Sequence, residues 1–299
     1  MPTASRDGLS LYFETFGDSE APPVLLVAGL GMQLVDWPPE WLGRFVEEGY
    51  FVVAFDNRDV GLSTHLSSVP PPDMGEFLRG GQPKVAYDLG DMADDAIAVI
   101  DELNLATAHV VGISMGGMIA QQIAIAHAGR VRSLCSIMSS PDYPRLGAPT
   151  PEALDSLLAP PPPTREEAID RSVAISLLIG SPGLPQDGAA MREAAARSYD
   201  RSHDPDGVAR QTAAIVASPD RTSALGNVLA PTVVIHGTAD PLVQPDGGKA
   251  TAAAVPGARL VMIEGMGHDL PPELWDDIVE PIVTNMQGAD SKRAELRIS

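Results

Sequence analysis

Apolar residues along this chain recur with two different periods, and the two alternate. Short continuous runs (Val24–Ala28, Tyr50–Phe55, His109–Ile113, Ser133–Met138, Thr232–His236 and Arg259–Ile263) have the length and character of strands buried on both faces. Between them, apolar residues return every three or four positions, the spacing of one helix face. Trp41 to Glu48 predicts a helix with Gly49 at its end. Met92, Ala96, Val99, Ile100 and Leu103 mark another from about Leu89 to Leu105. From Met115 onward, Met118, Ile119, Gln122, Ile123 and Ala126 mark a third. A helix through Ala250–Ala254 and one from Glu273 to about Met286 come later. Leu9 to Phe16 alternates like an early strand pair and stops at Gly17-Asp18, while a long loop with Pro70-Pro71-Pro72 and Gly80-Gly81 interrupts the pattern after Phe55.

The alternation breaks once. After Asp142 no strand is predicted before Thr232. Glu152–Leu158, Glu166–Ile179, Ala189–Tyr199 and Val208–Ala217 read as helices, separated by Pro160–Pro163 and Ser181-Pro182-Gly183. Strands alternating with helices predict an α/β fold with a mostly parallel sheet covered on both faces. An all-helical block between two strands predicts a cap over one edge of that sheet. The expected organisation is a core of residues 1–141 and 220–299 with a cap insertion of 142–219.

Candidate chemistry sits at the strand ends. The strand His109–Ile113 meets its helix at Gly112-Ile113-Ser114-Met115-Gly116, a G-x-S-x-G pattern. A serine on so sharp a strand-to-helix turn takes a strained backbone, small residues on either side let the chain pass, and the hydroxyl is pushed into the open. A hydroxyl becomes a useful nucleophile only when a base removes its proton, and that base needs a third group to orient it. The later strands end in suitable partners: Asp240 follows Thr232–His236, and His268 follows Arg259–Ile263 within Gly265-Met266-Gly267-His268. Asp246 and Glu264 are rival acids, but only Asp240 sits in the strand-end turn. Among the other histidines, His236 lies nearest but within its strand, and His65, His109, His127 and His203 lack the setting. An oxyanion hole would use the backbone N–H of Met115 and one from the loop after Val24–Ala28, with Leu30 first and Gly31 second.

Composition narrows the partners. The chain has 299 residues, 44% hydrophobic and 20% charged, which suits a folded globular protein. A net charge of −20 disfavours nucleic acid and anionic membranes. No apolar run is long enough to span a membrane, and Met1 to Ser10 has no signal-peptide core. A single cysteine, Cys135 in an apolar run, excludes an internal disulfide, so a cytoplasmic location is expected. The chemistry calls for no cofactor or metal, and the expected partner is a small-molecule ester.

These motifs, together with Ala28-Gly29-Leu30-Gly31 and Asp56-Asn57-Arg58-Asp59-Val60-Gly61-Leu62-Ser63, resemble the α/β-hydrolase family from Val24 to Met286. The resemblance implies Ser114, Asp240 and His268 as a catalytic triad and the N–H groups of Leu30 and Met115 as the oxyanion hole. The segment Asp56–Ser63 and the run His109-Val110-Val111-Gly112 are most similar to a bacterial esterase branch that includes methylesterases of aromatic polyketides. Many members carry histidine where this chain has Ala28, and that histidine helps hold the oxyanion loop; here its support is missing. The serine argues against the aspartate-dependent dehalogenase and epoxide hydrolase branches, and Met115 after it against iminopeptidases. Met32, Met138 and Met266, with Leu177, Leu178 and Met191 from the cap, are expected to line an apolar pocket beside Leu30 and Met115. The expected reaction is hydrolysis of small-to-medium apolar carboxylic esters. C–C bond, lactone or peracid chemistry on the same residues, and a low-turnover ligand-binding module, stay open as alternatives.

Overall fold

The computed structural model describes residues 1–73 and 84–298, with backbone alone for 296–298. The Gly80-Gly81 part of the long loop lies outside the described residues. Eight strands form one sheet: β1 Thr3–Arg6, β2 Leu9–Phe16, β3 Pro23–Val27, β4 Phe51–Phe55, β5 Ala108–Ile113, β6 Val131–Ile137, β7 Thr232–Gly237 and β8 Arg259–Ile263. Their spatial order is β1-β2-β4-β3-β5-β6-β7-β8. The first two junctions are antiparallel, and every pairing from β4 to β8 is parallel.

The continuous apolar runs have a direct explanation. In β3, Leu25 and Val27 face one core layer, shared with Met92 and Val99 of helix α2 (Leu89–Glu102) and Met118 and Ile119 of α3 (Met115–Ala126). Val24 and Leu26 face the other, shared with Trp41 and Phe45 of α1 (Pro39–Glu47) and Ile278 and Ile282 of α10 (Trp275–Ile298). A strand covered on both sides needs apolar side chains at odd and even positions alike. The Trp37, Trp41 and Phe45 rings pack in series on this second face, with centroids 5.0 and 4.8 Å apart.

From β3 the chain moves outward to β4 and then crosses back to β5 on the other side of β3. Loops leaving the carboxyl ends of β3 and β5 therefore diverge, which opens the crevice where sheets of this kind receive ligands. Gly29 to Gly31 leave one of those ends and Ser114 leaves the other.

Between β6 and β7 stand α4 (Pro151–Leu158), α5 (Arg165–Ile179), α6 (Gly188–Arg201) and α7 (Pro205–Ala217), followed by the short α8 (Thr222–Leu225). Each of the four longer helices starts on a side-chain cap. Thr150 accepts from the Ala153 N–H, Thr164 from Glu167, Asp187 from Ala189 and Ala190, and Asp204 from Gly207. The insertion is tied to the sheet through two buried aspartates: the half-buried Arg201 bonds Asp56 at 2.8 Å, and the buried Arg210 bonds Asp59 through Nε and Nη2, both at 2.8 Å.

Several elements differ from the sequence expectation, the short α8 among them. Leu9–Phe16 is one strand, antiparallel to β4 on one side and on the other to Thr3–Arg6, a short polar stretch with no apolar period to announce it. Helix α9 spans Pro245–Ala254, beginning with proline in its first turn. Helix α10 runs on past Met286 through a polar stretch, where Asp290 meets the His109 ring and Arg132, each at 3.2 Å. Partners in β5 and β6, rather than an apolar stripe, hold that extension.

Candidate active site

Ser114 closes the elbow with φ 57° and ψ −121°, a conformation costly for a residue with a Cβ and held here by its surroundings. Its N–H donates to the Ile137 carbonyl at 2.9 Å, and its own carbonyl accepts from Gly117 N–H and the Ser139 hydroxyl. The flanking glycines are required by contact: a Cβ on Gly112 would lie 2.1 Å from the Gly116 carbonyl oxygen, and one on Gly116 would lie 2.0 Å from that of Val27. Gly116 thus lets the elbow sit directly against the end of β3.

The structure brings Ser114, Asp240 and His268 together. His268 Nε2 is 2.9 Å from Ser114 Oγ, and His268 Nδ1 is 2.7 Å from Asp240 Oδ2. Ser114 and His268 keep partial exposure, whereas Asp240 is 3% exposed. The other oxygen of Asp240, Oδ1, accepts the N–H groups of Leu242 and Val243, each at 2.9 Å. Burial alone would raise the Asp240 pKa, but the His268 and His236 rings beside it outweigh burial and hold it well below the ordinary carboxylate range. Asp240 is therefore an anion that fixes one nitrogen of His268 while the other faces the serine. The rival acids are elsewhere: Asp246 is exposed in the first turn of α9, and Glu264 is exposed beside β8.

His236 is nearer to this chain than its in-strand position suggested. Its ring is fully buried, Nε2 donates to the Val243 carbonyl at 2.7 Å, and the same nitrogen is 3.5 Å from Asp240 Oδ2. The i,i+4 spacing across the strand-end turn was the available signal.

The end of α5 and the turn that follows it hold the His268 loop. Its N–H donates to the Ile179 carbonyl at 2.7 Å, and the Gly267 N–H donates to Ser181 Oγ at 2.9 Å. The Ser181 hydroxyl in turn donates to Asp269 Oδ1 at 2.6 Å, and the Ser181 N–H donates to Asp269 Oδ2 at 3.0 Å. A Cβ on Gly267 would lie 2.4 Å from the Gly180 backbone, so glycine is what lets the two segments touch.

On the opposite side, a Cβ on Gly29 would lie 3.4 Å from Ser114 Cβ, which sets the loop after β3 beside the serine. Among the described residues neither the Leu30 nor the Met115 N–H has a protein acceptor, while the Gly31 N–H is engaged by Gln211 at 2.9 Å. Of the expected pocket residues, Met115, Met138 and Met266 are fully buried, and Met32 and Met191 are half-buried. Leu177 and Leu178 are 48% and 42% exposed, and Leu178 lines a surface groove with Ser156, Ala159 and Arg171. Cys135 is fully buried, and burial pushes its thiol pKa far up, which leaves it inert. Asp59, His65 and Asp204 cluster closely enough to suggest a cation site, but the Arg210 guanidinium already lies against both carboxylates. No helix among the described residues is long and apolar enough to cross a membrane.

A parallel sheet carrying a strained serine after one strand, with an acid and a histidine after later ones, defines a hydrolase of the α/β class. The chain belongs to the α/β-hydrolase family, whose sequence profile matches residues 22–273. It is 29% identical over 312 residues to a rhodomycin D methylesterase of Streptomyces peucetius, covering 97% of this chain and 99% of that protein. Among solved structures it is similar to an esterase of a Rhodococcus species, with a TM-score of 0.74 and 21% identity over 97% of this chain and 98% of that one. An enol-lactonase of Burkholderia xenovorans matches with a TM-score of 0.70 and 21% identity, over 96% and 100%.

Proposed function

We propose that the protein hydrolyses carboxylic esters through a Ser114 acyl-enzyme, with His268 as general base, Asp240 as orienter and the helices of 142–219 as a cap. The observation that carries this reading is the continuous hydrogen-bonded chain from Ser114 Oγ through the His268 ring to Asp240, at 2.9 and 2.7 Å. As Ser114 Oγ bonds to the ester carbonyl carbon, its proton passes to His268 Nε2, and the anionic Asp240 stabilises the imidazolium that forms. The carbonyl oxygen becomes an oxyanion received by the free N–H groups of Leu30 and Met115. Each such donor is worth roughly 100- to 1000-fold in rate. When the tetrahedral species collapses, the C–O bond to the alcohol breaks and His268 returns the proton to the leaving oxygen. Water then repeats the sequence on the acyl group, giving the carboxylic acid and free Ser114.

An apolar acyl or alcohol part would be received by Met32, Met138, Met191 and Met266 with Leu177 and Leu178, and a cytoplasmic setting belongs to the same proposal. Similarity to a methylesterase over nearly the whole chain supports methyl esters as the first substrates to try. In the test, Ser114→Ala is compared with the parent on p-nitrophenyl butyrate and on a panel of methyl esters, with lactones and ring-cleavage diketones alongside. Loss of ester turnover by at least about 1000-fold in a folded variant is expected. Undiminished ester turnover would overturn the proposal.

A further inference from the structure

The stretch of the loop after β3 that passes Ser114, Ala28-Gly29-Leu30-Gly31, has no polar side chain of its own to hold it there; Gln33, further along, donates to the Ser198 and Ser202 carbonyls and accepts from Arg201. Ala28 is fully buried and offers only a methyl group, and Gly29-Leu30-Gly31 contributes none. Yet a hole built from backbone donors works only if those donors are fixed before the charge develops. Two amides from elsewhere supply the missing support. Asn57, in the loop after β4, donates Nδ2 to the Ala28 carbonyl at 3.1 Å. Gln211, on α7 of the helical insertion and fully buried, reaches in from the other side. Its Oε1 accepts the Gly31 N–H at 2.9 Å, and its Nε2 donates to the Arg58 carbonyl at 2.8 Å.

One planar amide therefore ties the loop after β3 to the loop after β4, using an acceptor and a donor at once. Glutamate would supply only the acceptor when ionised, and methionine neither. The helix presenting Gln211 is itself immobilised, because the preceding residue, Arg210, is held by both oxygens of Asp59. Val208, one turn earlier, closes over the same spot. Gly31 has φ +67°, and a Cβ there would lie 3.2 Å from Val208 Cγ2.

We propose that Gln211 is the positioning residue of the oxyanion hole. By engaging the Gly31 N–H it fixes the peptide next to Leu30, leaves the Leu30 N–H as the donor facing the serine, and makes the hole depend on the docked insertion. The inference rests on the ester-hydrolase reading of Ser114.

The experiment compares the full-length protein with Gln211→Met and Gln211→Glu. It reads kcat and KM on p-nitrophenyl butyrate, thermal midpoint, and inhibition by an alkyl trifluoromethyl ketone, whose hemiketal oxygen occupies the same hole. Gln211→Met is expected to lose roughly tenfold or more in kcat, short of the ~100- to 1000-fold that follows outright loss of a donor. KM should stay within twofold, and inhibitor affinity should weaken by the same factor as kcat. Gln211→Glu, which keeps the acceptor for Gly31, should retain more activity than Gln211→Met. A residue that only packs gives the opposite order, because a buried carboxylate is more disruptive than a thioether. Gln211→Met with kcat within twofold of the parent overturns the proposal. Should that variant fail to fold, Gln211→Glu, which loses the bond to the Arg58 carbonyl, decides alone: a fall in kcat matched by the inhibitor supports the proposal, and either an unchanged kcat or a fall with unchanged inhibitor affinity overturns it. Turnover that survives Ser114→Ala removes the hydrolase reading itself, whereas Ser114-dependent turnover indifferent to Gln211 removes only this inference.

Discussion

Replacing Arg210 by methionine should show how tightly the helical insertion is bound to the sheet. The Asp59 carboxylate is 1% exposed and accepts four hydrogen bonds: two from Arg210 at 2.8 Å, one from the Leu66 N–H at 2.7 Å and one from the Tyr87 hydroxyl at 2.8 Å. Arg210 is 3% exposed. Methionine keeps most of the side-chain length but removes both charged donors, leaving a buried anion with two neutral ones. Orphaning one member of a buried pair in this way costs about 3–5 kcal/mol, much of it the desolvation of the charge left behind. For a chain of this size, each kcal/mol lowers the melting temperature by roughly 2 °C, so calorimetry should show a drop of ~6–10 °C. The double variant Asp59→Asn/Arg210→Met tests the cause. Asn tolerates the positive φ of 67° at position 59, carries no charge to strand, and should recover at least half of the loss. A drop under 2 °C for Arg210→Met, or a double variant as unstable as the sum of the singles, would refute the reasoning.

The remaining predictions concern the two ends of the same interface. Ser181→Ala removes the hydroxyl that joins the Gly267 N–H to Asp269. With the His268 loop loosened, kcat should fall by roughly 10- to 100-fold with KM little changed, and an unaltered kcat in steady-state kinetics would count against a positioning role. His65 sits between the Asp204 carboxylate at 2.7 Å and the Gly61 carbonyl at 3.0 Å. Burial alone would lower its pKa, but those two acceptors outweigh burial and raise it. A raised folded-state pKa means that the stabilisation is complete below the ordinary imidazole value of about 6.5 and is lost as pH climbs through the folded value. His65→Asn should therefore lower the melting temperature more at pH 6 than at pH 8.5, and an equal drop at both would contradict the assignment.

Much of the site could be read before any coordinates because its parts are local. The Gly-x-Ser-x-Gly turn needs small residues at fixed offsets, since a Cβ at position 112 or 116 would collide with backbone two ångströms away. Asp240 and His268 stand directly after apolar runs, where a parallel sheet presents its loops. The rest was illegible for an equally physical reason. Gln211 and Gly31 are 180 positions apart, and Ser181 and Asp269 are 88 apart, so no periodicity or motif links them. The Asp56–Ser63 segment has the form of a motif, but nothing in its sequence says why two aspartates stand there: each holds an arginine of the insertion.

The chain's own pattern determined the order of the central strands and of the longer helices between them, the place where the alternation stops, and the strained turn that exposes Ser114. Those features follow from side-chain periodicity and from the steric demands of neighbours in sequence. Tertiary structure alone decided that helices inserted late in the chain hold the loops on both sides of that serine. Those contacts form only once the sheet has brought distant strand ends into one crevice.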